Sequence, residues 1–447
     1  MRVAILAHGS RGDIQPMVAL GDELRRRGHS VVMTVNENLA AWVERAGIDV
    51  VPMKPDMNAL LTSDAARKNM ARGKVLAFLK AMTLEEREAN RSIIDACVTA
   101  AEGADLVIST ITTVYRGECL AKALGVPHRT SSLYPVLDAG NHASFLSPVR
   151  DLRSRRLNLA SWRLLDIGFW QENKPNIDEM CDVLGIARFK RRPSVELIPS
   201  VAMFSADVAS RPAEWHQRHE IVGWQALSAD LRARLGEQVP AGLEAWLDAG
   251  SAPVFFGFGS TPVADPPAML RDIARLTRER GLRGLICAGW SDFGADGAEL
   301  PDHLHLANNV DFDAVLPRCR AAVHHGGSGT TASVLRAGLP SVIAGVLADQ
   351  AYWAWRIEKL GAGVRLPFHK ITVDRLGAAV DAALARTAQA KELGARVSAN
   401  TVQPAAADVV ERWAAELGIQ RGGARERLRR EPTANLADVG PDLGSFE

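Results

Sequence analysis

The chain has 447 residues, of which 47% are hydrophobic, so it is long enough for two or three packed globular domains. Its 53 Lys and Arg residues nearly balance its 52 Asp and Glu residues, and this balance gives no indication of nucleic acid or of a strongly acidic partner. Its five cysteines are widely spaced and form no Cys-x-x-Cys pattern, which argues against a disulfide framework and favours reduced thiols in the cytosol.

The N-terminal region shows a β-α-β pattern. Residues 3–7 and 31–35 are predicted strands, and residues 16–27 between them form a predicted helix with its proline in the first turn and Gly28 at its C-terminal cap. The opening apolar run is too short for the core of a signal peptide, and no later run reaches membrane-spanning length. We therefore expect a soluble, cytoplasmic protein.

A second series of short apolar runs begins near residue 219. Residues 254–258, 285–288 and 321–324 are predicted strands, and residues 268–280 form a predicted helix. The alternation indicates an α/β fold with two doubly wound sheets in tandem, over residues 1–218 and 219–403. A last helix is expected within residues 404–417, and the charged, poorly periodic residues 418–447 are expected to be a disordered tail.

The most informative segment is residues 321–331, where a short apolar strand runs into glycines and hydroxyl side chains. A helix is expected to follow over residues 330–337, and backbone amides at a helix start favour an anion. His325 can donate a hydrogen bond to a phosphate oxygen, and Thr330 can add a hydroxyl group. The pattern predicts a nucleoside diphosphate site, although such a turn can also be purely structural.

A second turn of small residues, 257–262, follows another predicted strand of the same half. Parallel sheets bring such strand ends together, so Ser260 is expected to face the same diphosphate. No lysine follows the glycines, as a Walker motif would require, and the third glycine of a dinucleotide-binding fingerprint is missing. Kinase and dehydrogenase functions are therefore disfavoured.

Two segments resemble a known family. Residues 324–331 (His-His-Gly-Gly-Ser-Gly-Thr-Thr), 336–340 (Arg-Ala-Gly-Leu-Pro) and 348–350 (Ala-Asp-Gln) resemble the donor-binding segment of family-one nucleotide-sugar-dependent glycosyltransferases. Residues 9–16 (Gly-Ser-Arg-Gly-Asp-Ile-Gln-Pro) resemble the acceptor-side loop of sterol and glycopeptide glycosyltransferases. The resemblance implies a GT-B fold whose two Rossmann-like domains, for acceptor and donor, face a cleft. It also implies inversion at the anomeric carbon, without metal or other cofactor.

The resemblance assigns roles on the donor side. The diphosphate contacts it implies are His325, Gly327, Ser328, Gly329, Thr330 and Ser260. Asp349 and Gln350 match the pair that binds sugar hydroxyls, and the alternative for Asp349 is a cap of a helix over residues 351–360. Val310 and Phe312 fall where the family holds the base and ribose, although the tryptophan of plant relatives is missing there.

The acceptor hydroxyl needs a base, because a free alcohol is a poor nucleophile. Asp13 matches the position at which relatives with the Gly-Ser-Arg-Gly-Asp loop place their base, whereas macrolide-type relatives use a histidine in that loop. The alternative for Asp13 is a helix cap, and the two roles are compatible. Ser10 is expected to orient the acceptor or the base, and Arg11 equally suits a structural ion pair.

No metal site is expected. Asp311 and Asp313 have the Asp-x-Asp spacing of metal-dependent transferases of another fold, but the neighbouring motifs resemble a metal-independent site. His324 and His325 are adjacent on a strand, so their side chains point to opposite faces, and no third ligand is evident.

The sequence thus predicts transfer of a sugar from a UDP- or dTDP-sugar to a hydroxyl of a sterol, polyketide or glycopeptide-like acceptor. Two alternatives remain: a catalytically inactive helper protein that still binds the donor, and an α/β hydrolase. The hydrolase is disfavoured because Thr330 stands where a nucleophile elbow needs its last glycine. If the acceptor is a lipid, peripheral membrane contact through the basic run 153–156 is conceivable, and the oligomeric state stays open.

Overall fold

The computed structural model describes residues 1–419 except 72–74, 137–138, 146, 148, 292, 294–299, 347 and 400–404. Of the predicted disordered tail, residues 420–447 lie outside the described residues. Among the residues that are described, no helix combines the length and the apolar character needed to cross a bilayer.

The first half of the described chain contains one parallel sheet flanked by helices. Its strands are β1 (Arg2–Leu6), β2 (Ser30–Asn36), β3 (Asp49–Met53), β4 (Leu106–Thr110), β5 (His128–Ser132), β6 (Ser200–Ala202) and β7 (His219–Ile221). Its helices are α1 (Arg11–Arg26), α2 (Glu37–Glu44), α3 (Met57–Thr62), α4 (Asp64–Ala71), α5 (Val75–Glu88), α6 (Asn90–Ala101), α7 (Val114–Leu124), α8 (Arg155–Val183) and α9 (Ala229–Arg234). The strand order is β3-β2-β1-β4-β5-β6-β7.

The second half repeats this design. Its strands are β8 (Val254–Gly257), β9 (Gly284–Cys287), β10 (Leu304–Ala307), β11 (Ala321–His324), β12 (Ser341–Ile343) and β13 (Gly363–Arg365). Its helices are α10 (Ala241–Asp248), α11 (Pro266–Glu279), α12 (Phe312–Val315), α13 (Ser328–Arg336), α14 (Ala348–Lys359), α15 (Val373–Leu384) and α16 (Thr387–Ala399). All its strand pairs are parallel, in the order β10-β9-β8-β11-β12-β13.

The predicted fold class, two doubly wound α/β sheets, is therefore confirmed. In each sheet the strand order reverses beside the first strand, between β1 and β4 and between β8 and β11. Ligands of such sheets bind at this reversal, beyond the carboxyl ends of the strands. The central strands are apolar on both faces because helices cover both sides of a parallel sheet, and Val3 to Leu6 of β1 are fully buried.

Helix α1 begins earlier than the sequence suggested. We expected its start at Pro16, but the helix begins at Arg11 with Ser10 as N-cap. The side chain of Asp13 accepts hydrogen bonds from the Ser10 backbone N–H at 2.8 Å and from the Ser10 hydroxyl at 3.0 Å. This capping box satisfies donors at the helix start, so Pro16 lies inside the helix instead of opening it.

The boundary between the halves also differs from the expected position after residue 218. Strand β7, which begins at His219, pairs with β6 in the first sheet. Leu231 and Leu235, on and just after α9, pack into the core of the first sheet. The chain therefore leaves the first half later than we expected.

The last described helix, α17 (Ala405–Glu416), packs on the first half although it follows the second half in sequence. Val409, Val410 and Trp413 share one hydrophobic cluster with α1. Glu411 accepts hydrogen bonds from Arg27 at 2.6 Å, and one of its oxygens lies 3.0 Å from His29 Nε2.

Four buried histidines predict a loss of stability in mild acid. Burial lowers the pKa of His142, His219 and His325 to about 4 and that of His324 to about 3, from 6.5. The unfolded chain binds protons at these groups below pH 6.5, whereas the folded chain does not. Each group can therefore remove up to about 1.4 kcal/mol per pH unit from the free energy of unfolding.

The pKa values of Asp13 and Asp349 are raised by burial, and these two groups oppose that trend. Burial also raises the pKa of Glu237 and lowers the pKa of His8 and His305. Six histidines thus outweigh three carboxyl groups, so we expect the urea midpoint to fall as the pH drops from 7 toward 4. An Asn in place of His324 keeps an acceptor for the Gly326 N–H, 3.2 Å from His324 Nδ1, and should flatten the pH dependence. An unchanged pH dependence in that variant would contradict this explanation.

Candidate functional site

A cavity of about 450 Å³ lies between the two halves at the carboxyl ends of their strands, and its volume suits a small-molecule site. The loops that follow β1, β8 and β11 all contribute to its wall. Every site residue predicted from the sequence lines this cavity: Ser10, Asp13, Ser260, Val310, Phe312, His325, Gly327, Ser328, Gly329, Thr330, Asp349 and Gln350. The fold thus brings residues that are up to 340 positions apart in the sequence into one site.

The loop after β1 is shaped around the carboxyl group of Asp13. Gly9 has φ of +135°, and a Cβ atom at this position would lie 2.5 Å from Asp13 Oδ2. The Gly9 N–H donates to Asn36 Oδ1 at 2.8 Å, which fixes the loop on the end of β2. Glycine is therefore required here both by the backbone conformation and by the approach of the carboxyl group. The Asp13 carboxyl group is part of the capping box of α1 and also lines the cavity. Ser10 orients this carboxyl group through its N–H and its hydroxyl group.

Asp349 contributes a second carboxyl group, from the other half of the chain. Its pKa is raised to about 7, first by burial and then by the negative charge of Asp13, whereas the backbone N–H of Ser328 counteracts this rise. Burial also raises the pKa of Asp13, against the hydrogen bonds from Ser10. Helix α14 begins at Ala348, so Asp349 lies in its first turn and not before it, and its carboxyl group accepts backbone hydrogen bonds there.

The ring of His325 lies between the loops after β8 and β11. A Cβ atom on Gly259 would lie 2.6 Å from His325 Cε1, and one on Gly327 would lie 2.5 Å from His325 Nε2. Burial lowers the pKa of His325 to about 4, against a hydrogen bond with the Gly257 backbone. The imidazole of the unliganded protein is therefore neutral at pH 7 and has one N–H, so a phosphate can accept that hydrogen bond only in exchange for the one to the Gly257 backbone.

The close contact between Gly327 and the His325 ring can be tested by substituting Gly327 and, as a matched control, the nearby Gly329. We expect Gly327→Ala to destabilise the fold by about 1–3 kcal/mol, because its methyl group would overlap the His325 ring. Gly329, also at the start of α13, has open space around its missing Cβ, so Gly329→Ala should keep or raise stability by up to about 1 kcal/mol. Urea unfolding of both variants measures the difference, and equal stabilities would rule out tight packing at His325.

The start of α13 is also connected to the first half. Ser328 donates its hydroxyl hydrogen to the Leu133 carbonyl at 3.0 Å and accepts a hydrogen bond from Trp224 Nε1 at 2.9 Å. This hydroxyl group is therefore engaged within the protein. The hydroxyl predicted for the ligand belongs to Thr330, two residues further along α13, which also lines the cavity.

Gln350 uses both ends of its amide group inside the cavity wall. Its oxygen accepts from the Val346 N–H at 2.9 Å, and its nitrogen donates to Thr261 Oγ1 at 3.4 Å. Gln350 thereby joins the loop after β12 to the loop after β8. It lies beside Asp349, as the predicted sugar-binding pair requires.

The segment predicted to hold the base and ribose forms a largely apolar wall. Val310 is buried in the core, and Phe312 packs edge to face on Phe255 with ring centroids 5.4 Å apart. Asp311 caps α12, and Asp313 forms ion pairs, so the Asp-x-Asp spacing has a structural explanation. Within the described ranges, no group of three His, Cys, Asp or Glu side chains is arranged to hold a metal ion.

Several cavity residues were missed by the sequence analysis. Tyr134, two residues beyond β5, has a pKa that is raised by burial and by the charges of Asp349 and Asp13, so its hydroxyl group lies near both carboxyl groups. The one sequence feature that could have pointed to Tyr134 is its position just after a strand. Trp290 joins Met57 in an apolar cluster on the cavity wall.

Comparison with known proteins places this site in a family. Residues 3–111 match the model of the glycosyltransferase family 28 N-terminal domain. Residues 289–416 match that of the C-terminal domain of erythromycin biosynthesis protein CIII-like proteins. The two matched segments contain the loop after β1 and most of the donor-side residues.

Three curated relatives align along most of the chain. An uncharacterized protein of Mycobacterium bovis, Mb1553c, is 33% identical over 422 residues, which are 92% of this chain and 96% of the relative. The O-mycaminosyltylonolide 6-deoxyallosyltransferase of Streptomyces fradiae is 31% identical, with 93% and 98% covered. A sterol 3-beta-glucosyltransferase of Arabidopsis thaliana, UGT80B1, is 27% identical, with 85% and 62% covered.

Solved structures share the fold at lower identity. The calicheamicin glycosyltransferase CalG4 superposes with a TM-score of 0.65 at 19% identity, over 93% of this chain and 98% of that one. The glycosyltransferase VinC, solved in complex with dTDP, gives a TM-score of 0.61 at 19% identity, over 92% and 99%. With its fold, its cavity and these relatives, the chain belongs to the family-one glycosyltransferases of the GT-B fold, of the natural-product or sterol type.

Proposed function

We propose that the protein transfers a sugar from a UDP- or dTDP-sugar to a hydroxyl group of a hydrophobic or natural-product acceptor, with inversion and without a metal or other cofactor. The observation that carries this proposal is the shared cavity: the Asp13 carboxyl group comes from one half, and His325, Asp349 and the start of α13 come from the other. The charge of Asp13 influences the pKa of Asp349, so the two carboxyl groups face the same space.

Electrostatics supports a donor site on the second half. Helix α13 runs over Ser328–Arg336, and its first amides favour an anion such as a diphosphate. The neutral His325 beside them adds a donor, and the complex of VinC with dTDP supports a nucleoside diphosphate as the ligand class. Asp349 and Gln350 follow at the start of α14, where they would contact the sugar hydroxyls.

In the proposed reaction the ionised Asp13 carboxylate takes the proton of the acceptor hydroxyl group as that oxygen attacks the anomeric carbon. The bond between the anomeric carbon and the diphosphate oxygen breaks, and its electron pair leaves with the diphosphate. Attack from the face opposite the leaving group inverts the anomeric configuration. The amides at the start of α13 and the His325 N–H stabilise the charge that develops on the diphosphate.

The acceptor side of the cavity is apolar. Met57 and Leu61 belong to a buried apolar cluster there, Met82 and Trp290 pack against this cluster, and all four side chains line the wall. The unbranched thioether side chains of methionine adjust to ligands of different shape. This lining supports a hydrophobic acceptor.

The hydrolase alternative has no support in the site. Ser328 is the serine of the motif, and both of its hydrogen bonds are made to Leu133 and Trp224 instead of to a histidine. The helper-protein alternative shares the donor site, and it predicts nucleotide binding without turnover.

A two-step experiment tests the proposal. UDP, dTDP and their sugars are first screened by thermal shift, since a ligand that binds the folded state raises its stability. The sugars that bind are then incubated with sterol, macrolide and glycopeptide acceptors, and products are followed by mass spectrometry. We expect binding and transfer. Binding without transfer to any acceptor would favour the helper protein, and the absence of binding would overturn the proposed function.

A further inference from the structure

Helix α13, which carries the proposed diphosphate site, is joined to the first half directly at its start and, through Asp313 of α12, indirectly at its end. At its start, the Ser328 hydroxyl group joins the Leu133 carbonyl at 3.0 Å and Trp224 Nε1 at 2.9 Å. At its end, Arg336 Nη2 lies 3.2 Å from Asp313 Oδ1 and enters a series of ion pairs that reaches α1. Helix α13 also lies directly against α1.

The series of ion pairs, here called the ionic chain, consists of Arg11, Glu237, Arg232, Asp313 and Arg336. Arg11 contacts Glu237 through Nη2, and Arg232 contacts Asp313 through Nη2. Arg232 Nη1 lies 3.0 Å from Glu237 Oε2. Positive and negative groups alternate along the ionic chain, so each carboxylate lies between two guanidinium groups.

The ionic chain crosses from one half to the other. Arg232 belongs to α9, whose Leu231 packs in the core of the first half, whereas Asp313 belongs to α12 of the second half. The side chains of Arg232 and Glu237 are only 5% and 4% exposed. Arg232 pairs with Glu237 and, across the halves, with Asp313, so the ionic chain joins the two halves through Arg232.

The Arg11 side chain donates hydrogen bonds to three different partners, each through a different nitrogen atom. Nε donates to Gln15 at 3.2 Å, Nη1 donates to Asn309 Oδ1 at 3.2 Å, and Nη2 donates to Glu237. Its guanidinium group also lies over the Trp42 ring, 4.9 Å from the centroid. The planar group spans partners from both halves at once, and a lysine ammonium group cannot reproduce this geometry.

We propose that Arg11 is a positioning residue for sugar transfer: through the ionic chain and Asn309 it fixes the first turn of α1, which contains Asp13, against α13. This inference rests on the proposed function. Arg11 lies two residues before Asp13 in the same helical turn, so a shift of Arg11 moves the carboxyl group relative to the bound donor. Asn309 lines the cavity beside Val310, so a nucleotide at the predicted base site contacts the same segment.

Hydrogen exchange followed by mass spectrometry tests this coupling without relying on turnover. In the wild type we expect saturating UDP or dTDP to slow amide exchange both at the start of α13, residues 328–332, and at the start of α1, residues 11–14. In Arg11→Lys the slowing should persist in α13 and disappear in α1. Its kcat, referred to the concentration of folded protein that binds nucleotide, should fall at least about tenfold while the KM for the donor stays within about threefold; this normalisation removes the contribution of a general loss of stability.

Asp381→Asn is the matched control. It removes an ion pair of similar type, with Arg280 Nε 3.1 Å from Asp381 Oδ1, but this pair lies within the second half. We expect wild-type coupling and turnover in this variant. Glu237→Gln should behave like Arg11→Lys, and because Arg11 is 30% exposed, Arg11→Lys carries the test alone if the Glu237 variant does not fold.

Two failures are distinguishable. If neither nucleotide slows exchange at residues 328–332 of the wild type, the proposed function fails. The positioning role of Arg11 is overturned by a different result, in which nucleotide slows exchange at residues 328–332 but Arg11→Lys does not differ from the wild type at residues 11–14. This holds whether exchange at residues 11–14 slows in both proteins or in neither. A kcat of Arg11→Lys within twofold of the wild type would overturn it as well.

Discussion

Asp13→Asn is expected to lower kcat by about a hundredfold or more while donor affinity stays nearly unchanged. The amide cannot take the proton of the acceptor hydroxyl group. Its oxygen can still accept the hydrogen bonds that Asp13 Oδ2 accepts from the Ser10 N–H at 2.8 Å and the Ser10 hydroxyl at 3.0 Å, so the start of α1 should keep its structure. Single-turnover rates and nucleotide titration measure the two quantities separately.

The pH dependence of kcat is a second test of Asp13 as the base. Burial raises the pKa of Asp13, and the reaction needs the ionised carboxylate, so kcat should increase with pH through a midpoint above the ordinary aspartate value. The hydrogen bonds from Ser10 counteract this rise in pKa, so Ser10→Ala should move the midpoint to higher pH and keep most of the plateau rate. Full activity of Asp13→Asn would exclude Asp13 as the base.

Asp349 titrates in the same cavity, and its pKa of about 7 depends on the charge of Asp13. The two carboxyl groups therefore titrate as a coupled pair. The midpoints in the pH profile of wild-type kcat describe the pair and not either group by itself. The Asp349→Asn variant separates them, because it removes one titration and leaves the base in place.

The donor side of the site could be predicted because its chemistry lies in consecutive residues. His325 to Thr330 follow a four-residue apolar strand, and such a strand end has few possible positions in a parallel sheet. The side chain of Ser328 shows the limit of that reasoning, since its partners Leu133 and Trp224 lie more than a hundred positions away. Only the packed structure brings them together.

Short-range patterns failed where longer-range interactions decide the structure. Strand β7 has only three residues, His219–Ile221, with no apolar alternation, and its pairing with β6 makes it a strand. The ionic chain is invisible in the sequence for the same reason, because Arg11 and Glu237 are 226 positions apart. Pro16 was misleading for a different reason: the Ser10–Asp13 capping box determines the helix start instead.

His325→Ala is expected to weaken the binding of UDP or dTDP by roughly 10-fold to 100-fold, which corresponds to the loss of one hydrogen bond to a charged group, about 1.5–3 kcal/mol. Calorimetric titration at pH 7.5 measures the Kd. His324→Asn is the control, since His324 is buried on the opposite side of the strand and does not line the cavity. Its affinity should stay within about twofold of the wild type, even if its stability changes.

The same pair of proteins tests the charge of the imidazole. Because the pKa of His325 is about 4, the ring is neutral above pH 6, and the ratio of Kd values between His325→Ala and the wild type should stay constant from pH 6 to 8. If the ring were cationic in the complex, the ratio would decline as the pH rises through the pKa of the bound imidazole. An unchanged Kd in His325→Ala would instead mean that the diphosphate binds without a contribution from the imidazole, and that the glycines around this ring serve only its packing.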